Sequence, residues 1–178
     1  GIENVVSRII QIKYEGFNEE SGGIHTIPTA IKTVDSLKFL YLSNNNLESI
    51  PGEIGDLERL EKLNLDGNKI TEIPESIGGR PGLRRLKELI ISDNELSSLT
   101  DFISQLSGLT ELDLSRNNLA TLPASLCDFV NIINVTYNKF CPRCTEECSV
   151  CNSGYNNCFN ILYLDQDPLD AQNCDLDE

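Results

Sequence analysis

The sequence contains no Trp and no Met, and its aromatic side chains are five Tyr and six Phe. Histidine occurs once, as His25, just after a Gly-Gly pair near one end of the chain. A Ser-His-Asp triad would have to be built on that one imidazole. No nucleophile elbow, phosphate-cradling glycine loop or H-E-x-x-H helix is present. The chain therefore reads as a non-enzyme, with no catalytic residues, no cofactor and no metal. Positive charge is also scarce: 14 Lys and Arg stand against 28 Asp and Glu, for a net charge of −14. Such a surface repels phosphate backbones and anionic lipid, which argues against nucleic acid as a partner and favours a protein with a basic patch. No apolar run approaches the roughly 18 to 20 residues that span a bilayer, so no direct membrane insertion is expected. The segment Phe129 to Val135, one of the more apolar, is broken by Asn131 and Asn134. There is neither an initiating Met nor a signal peptide, so the chain reads as a processed or truncated form. No Cys precedes Cys127.

What the sequence has in abundance is self-similarity. An eleven-position pattern, L-x-x-L-x-L-x-x-N-x-L, runs through Leu37, Leu40, Leu42, Asn45 and Leu47. It returns at Leu60, Leu63, Leu65, Asn68 and Ile70, then at Leu86, Leu89, Ile91, Asn94 and Leu96. The fourth copy is Leu109, Leu112, Leu114, Asn117 and Leu119, and the fifth is Val130, Ile133, Val135, Asn138 and Phe140. Between copies, Ile27-Pro28, Ile50-Pro51, Ile73-Pro74 and Leu122-Pro123 open segments that continue to Ile31, Ile54, Ile77 and Leu126. Leu99-Thr100, followed by Ile103, takes that place once without the proline. A fixed period of this length is the mark of a solenoid.

These residues resemble the leucine-rich-repeat family, over roughly Ile27 to Phe140. The resemblance implies an α/β solenoid: a curved stack with a parallel β-sheet on its concave face and turns or short helices on the convex face. The chain then divides into a degenerate N-terminal repeat or cap (1–26), the repeats (27–140) and a cysteine-rich, acidic C-terminal cap and tail (141–178).

The physics of the pattern stands without the name. Apolar residues at its fourth and sixth positions alternate as on a strand, so both enter one core while the intervening residues face out. The asparagine falls where the chain leaves the sheet, and a buried amide there must pair with backbone groups of adjacent turns. Asn45, Asn68, Asn94, Asn117 and Asn138 are therefore expected to form a structural ladder. The prolines are expected to open short turns or helical segments, since Pro fixes its own φ. Gly78-Gly79-Arg80-Pro81-Gly82 lengthens one unit and reads as a tolerated convex-side insertion. At the N-terminus, Ile10 and Ile12 are expected at the fourth and sixth positions of one more strand, with Phe17 at the eleventh. Asn18 to Gly23 reads as an inserted loop.

After Phe140 the leucines stop and the cysteines begin. Cys141, Cys144, Cys148, Cys151, Cys158 and Cys174 are expected to form structural disulfides of undetermined pairing, which places the chain in an oxidising compartment. Two C-x-x-C units also fit a zinc knuckle in principle, and free thiols are a third reading. The three residues between those units leave little slack to wrap an ion, and no histidine lies near. Cys127, inside the repeats, is the expected unpaired thiol. The tail after Thr145 carries no Lys or Arg and reads as solvated. Asn134-Val135-Thr136 is a glycosylation sequon at Asn134.

Function is expected on the sheet. Strands stacked about 4.8 Å apart bring equivalent outward positions into columns. One column is Tyr41, Asn64, Ile90, Asp113 and Asn134, and beside it run Ser43, Asp66, Ser92, Ser115 and Thr136. Beyond these come Asn44, Gly67, Asp93, Arg116 and Tyr137, and on the other flank Phe39, Lys62, Glu88, Glu111 and Ile132. Phe39, Tyr41, Asn64, Asp66, Ile90, Asp93, Asp113, Arg116 and Tyr137 are the candidate ligand-binding residues: apolar anchors around acidic groups suited to a basic protein or peptide ligand. Replacing Tyr41 and Asp113 together is expected to abolish binding without unfolding. An extracellular or cell-surface binder is the leading reading. An intracellular signalling adaptor and a self-associating wall or matrix protein are the alternatives.

Overall fold

Each repeat spaces its apolar residues by two, for a strand, and then by three, for something tighter than an α-helix. The computed structural model, which describes residues 11–14, 23–79, 81–123, 125–126 and 132–139, contains both. Six three-residue strands, β1 (Gln11–Lys13), β2 (Phe39–Tyr41), β3 (Lys62–Asn64), β4 (Glu88–Ile90), β5 (Glu111–Asp113) and β6 (Ile132–Asn134), form one parallel sheet in chain order. Their register is constant, with Leu40, Leu63, Leu89, Leu112 and Ile133 side by side.

The returning segments are 3-10 helices at Thr29–Thr33, Gly52–Asp56, Glu75–Ile77 and Asp101–Gln105. In this helix residues three apart eclipse one another. Past the second helix the same three-residue step continues through Leu57 N–H to Ile54 O and Leu60 N–H to Leu57 O. Past the fourth it continues through Leu106 N–H to Ile103 O and Leu109 N–H to Leu106 O, and all of these apolar residues are buried. Pro28, Pro51 and Pro74 stand immediately before their helices, with φ of −68° and an extended ψ. Their carbonyls accept the first helical bond, Ile31 N–H to Pro28 O at 2.9 Å and Ile54 N–H to Pro51 O at 3.1 Å. Thr100 fills that place before the fourth helix at φ −95°.

The insertion lies where its composition put it. In a regular turn Leu57 N–H reaches Ile54 O at 3.1 Å; in the longer unit Leu83 N–H reaches Ile77 O at 2.8 Å across the extra residues. The same closing bond is made, and the additional chain is looped out between Ile77 and Leu83.

The N-terminal strand requires a correction. Ile12 pairs with Leu40, which places Ile12 at the fourth position of its repeat and Tyr14 at the sixth, not Ile10 and Ile12. Ile24 N–H takes the bond to an asparagine carbonyl that eleventh-position residues make elsewhere, displacing Phe17 from that assignment. A shift of two preserves which side chains face inward, so alternation alone could not separate the two frames. Ile10, Phe17 and most of the loop 18–23 lie outside the described residues. So do Cys127, Val130 and Phe140, and with them Cys141, Cys144, Cys148, Cys151, Cys158, Cys174 and the whole segment 141–178.

Candidate recognition face

The scaffold of the face is the corner where each turn leaves the sheet. Asn68 Nδ2 donates to Leu65 O of its own turn at 2.9 Å and to Leu42 O of the preceding turn at 2.9 Å, while its Oδ1 accepts Leu47 N–H at 3.0 Å. Asn94, Asn117 and Asn138 repeat the reach backward, to Leu65 O, Ile91 O and Leu114 O at 2.8–3.0 Å. Their carbonyls accept Ile70, Leu96 and Leu119 N–H at 2.9–3.0 Å. Asn45 binds Tyr14 O and Ile24 N–H in the same way, so the ladder ties β1 to the stack. Among the described residues no buried side-chain nitrogen or oxygen is left without a partner.

On that frame the central column, Tyr41, Asn64, Ile90, Asp113 and Asn134, is in register and half-buried. Phe39, Lys62 and Glu88 flank it, also half-buried, and Glu111 is exposed. Lys62 is ion-paired with Glu88 across β3 and β4, and its ammonium lies 5.9 Å from the Tyr41 ring centroid. The hydrogen bond that Lys62 donates to Glu88 holds the Lys62 pKa above its ordinary value, against the opposing effect of burial. At the foot of the strands, Glu61 accepts both Lys38 and Lys87, at 3.0 and 3.1 Å. Those two bonds, Lys38 first, hold its carboxyl below the usual range.

The next column is less open than its polarity implies. Ser43, Ser92 and Ser115 are buried, while Asp66 and Thr136 are half-buried. Several polar groups placed on the face are occupied from within. Asp113 Oδ1 accepts both the N–H and the hydroxyl of Ser115, at 2.9 and 2.6 Å, and Oδ2 accepts Asn134 Nδ2 at 3.2 Å. Asp66 accepts the Ser92 hydroxyl at 2.6 Å, and Asn64 Oδ1 accepts Asp66 N–H at 3.0 Å. Asn134 Oδ1 accepts the Thr136 N–H and hydroxyl, so a glycan on Asn134 Nδ2 would compete with its bond to Asp113.

Beyond the serines the backbone turns through the left-handed region. Asn44, Asp93, Arg116 and Tyr137 have φ between 52° and 56°, and Gly67, at 65°, occupies the equivalent place without strain. Asn and Asp tolerate this conformation better than Arg and Tyr do. Asp93, Arg116 and Tyr137 are exposed, and the Arg116 guanidinium stacks 4.9 Å from the Tyr137 ring centroid.

One feature off the face was not foreseen. Two adjoining depressions, about 310 and 620 Å³, lie on the turn side and share Glu75, Thr100 and Phe102. Phe102 occupies the position held by Ala30, Glu53, Ser76 and Ser125 in the other units, and it is buried. It packs on Gly78 at the start of the insertion, where an added Cβ would meet the Phe102 ring at 3.1 Å. That lone bulky residue at a small or polar position was the available signal. Among the described residues no group of three His, Cys, Asp or Glu is placed to hold a metal, and no helix is long and apolar enough to cross a membrane.

Residues 6–118 match the family model for a leucine-rich repeat region, and residues 108–129 match a second model, for a single leucine-rich repeat. A Leptospira interrogans leucine-rich-repeat protein of known structure is 35% identical at a TM-score of 0.63, covering 67% of this chain and 30% of its own. The plant peptide hormone receptor RGFR1, solved in complex with RGF2, is 33% identical at a TM-score of 0.59 over 72% of this chain and 21% of its own. The BIR3–SERK2 complex from Arabidopsis thaliana gives 35% identity and a TM-score of 0.57, covering 69% of this chain and 66% of the matched chain. The chain thus spans less than a third of the first two relatives. No curated protein gives a significant match.

Proposed function

The chain belongs to the leucine-rich-repeat family, and we propose that it is a recognition module that binds a protein or peptide with its sheet face. The observation that carries this reading is the partial exposure of Phe39 and Tyr41 on β2 and Ile90 on β4. These apolar side chains are only half-buried, on strands whose backbone is held by the register and the corner bonds. Anchors already ordered before binding lose little entropy when a ligand arrives. The solved relatives that contain a bound peptide hormone or a protein partner support the same use of the fold. Within the face, Asp113 and Asp66 are engaged internally, so Asp93 and Glu111, both exposed, are the carboxylates best placed for a basic residue of the ligand.

Panning a random dodecapeptide phage library on the immobilised chain tests this. Enriched peptides should bind the wild type and lose at least tenfold in affinity with Tyr41→Ala plus Ile90→Ala. Asp113 is a poorer probe, because removing it also releases Ser115 and Asn134. Undiminished affinity in the double variant would remove the sheet face from the account.

The six cysteines of residues 141–178 are read as disulfides, and the chain with them as extracellular or cell-surface. Intact mass before and after reduction and alkylation decides it. Six cysteines protected until reduction support that location. Seven thiols reactive without reductant contradict it and favour an intracellular adaptor.

A further inference from the structure

Positive charge in this acidic chain is concentrated in one place. Arg80, Arg84, Arg85 and Lys87 put four of its 14 cations into eight residues that begin inside the insertion and end at β4. Arg59 joins them: it stands three residues before Lys62 as Arg85 stands three before Glu88, and Lys62 and Glu88 are register partners. Arg59 and Arg85 thus hold equivalent places in adjacent turns.

Beside and on the sheet, Lys38 and Lys87 share the Glu61 carboxylate and Lys62 pairs with Glu88. Arg59, Arg84 and Arg85 are exposed, and among the described residues none of them makes an ion pair. They lie on the edge where the turn side rises into the strands, apart from the column of Tyr41 and Ile90. This is also where the repeat is interrupted, and interruptions of a regular solenoid commonly sit at its binding surfaces.

We propose that Arg59, Arg84 and Arg85 form a second docking surface for a short carboxylate-rich segment of a partner protein. The planar guanidinium matches a carboxylate with two parallel hydrogen bonds. Glu58, Glu61 and Asp56 border the arginines within a chain of net charge −14. Those flanking charges repel an extended polyanion more than a segment that covers only the arginines, which favours an acidic peptide over nucleic acid or a sulfated glycan.

Fluorescence anisotropy of labelled hexaglutamate, with the full chain at low ionic strength, is the test. Binding should be measurable, should weaken by at least tenfold in Arg84→Glu plus Arg85→Glu, and should fall steeply with added salt. The neutral pair Arg84→Gln plus Arg85→Gln should lose less, and Lys32→Ala, in the helix Thr29–Thr33 away from both surfaces, should bind as wild type. Absence of hexaglutamate binding, or binding insensitive to both double variants, would overturn the proposal. So would a heparin hexasaccharide that binds when hexaglutamate does not. Because Tyr41→Ala plus Ile90→Ala leaves these arginines in place, loss of the sheet-face reading would leave this result unchanged.

Discussion

The sheet side and the turn side of this solenoid obey different rules. On the sheet side six strands hold one register, and each corner asparagine bonds its own turn and the one before it. On the turn side the backbone hydrogen bonds are local, closing three-residue steps within one turn. Neighbouring turns are joined there by exposed side-chain bonds such as Ser76 Oγ–H to Gly52 O and Ser125 Oγ–H to Asp101 Oδ1. A defect in the first region breaks contacts between repeats. A defect in the second can be looped out, as between Ile77 and Leu83. The regularity of a solenoid is thus enforced where backbone groups of different repeats must meet, and relaxed where each repeat's backbone bonds mainly to itself.

The sharpest way to break this comparison is to move the same change between regions. Three residues inserted after Asp66 would carry Asn68 away from Leu42 O and Leu47 N–H, and should abolish cooperative unfolding of the intact stack. Deleting Gly79-Arg80-Pro81 restores the I-x-x-L spacing as Ile77-Gly78-Gly82-Leu83. It should change stability by no more than about 1 kcal/mol in urea melts. Equal damage from the two would erase the distinction.

Asn94→Leu is the next largest test. It leaves Ile70 N–H, Leu65 O and Ser92 O without the amide they now share. Unpaired buried groups cost about 1–3 kcal/mol each, so a loss on the order of 3 kcal/mol or more is expected. Pro51→Ala should cost much less, about 0.4–1 kcal/mol, because Pro51 acts mainly by restricting the unfolded chain and its carbonyl bond survives.

The smallest effect concerns Glu61, whose carboxyl is held below its ordinary value of 4.5 by Lys38 and Lys87. A depressed folded pKa contributes stability that is present above the unfolded value and is lost as pH falls through the folded one. Thermal melts from pH 7 to pH 3 should therefore show a slightly steeper acid loss for wild type than for Glu61→Gln. Parallel curves would assign the two ion pairs no role in stability, as is common for exposed pairs.

Much of this was legible because the eleven-position pattern encodes contacts rather than composition. The strand positions, the five corner asparagines and the order of the central column follow from spacing alone. The register of β1 did not, because Ile10 and Ile12 satisfy the alternation in either frame and only the partners of Asn45 choose between them. Ser43, Ser92 and Ser115 look like surface residues by polarity, yet the tightening corner buries them. The state of Asp113 depended on what Ser115 and Asn134 would do, information that no column carries. For the turn-side depressions, only Phe102 at an otherwise small or polar position gave notice.

Hydrogen–deuterium exchange of the full chain, with and without a peptide selected by panning, tests the central claim most directly. Recognition by the sheet face predicts added protection in Phe39–Tyr41, Lys62–Asn64, Glu88–Ile90 and Glu111–Asp113, with the helices Gly52–Asp56 and Asp101–Gln105 unchanged. Protection confined to those helices, with the strands exchanging as in the free chain, would contradict it.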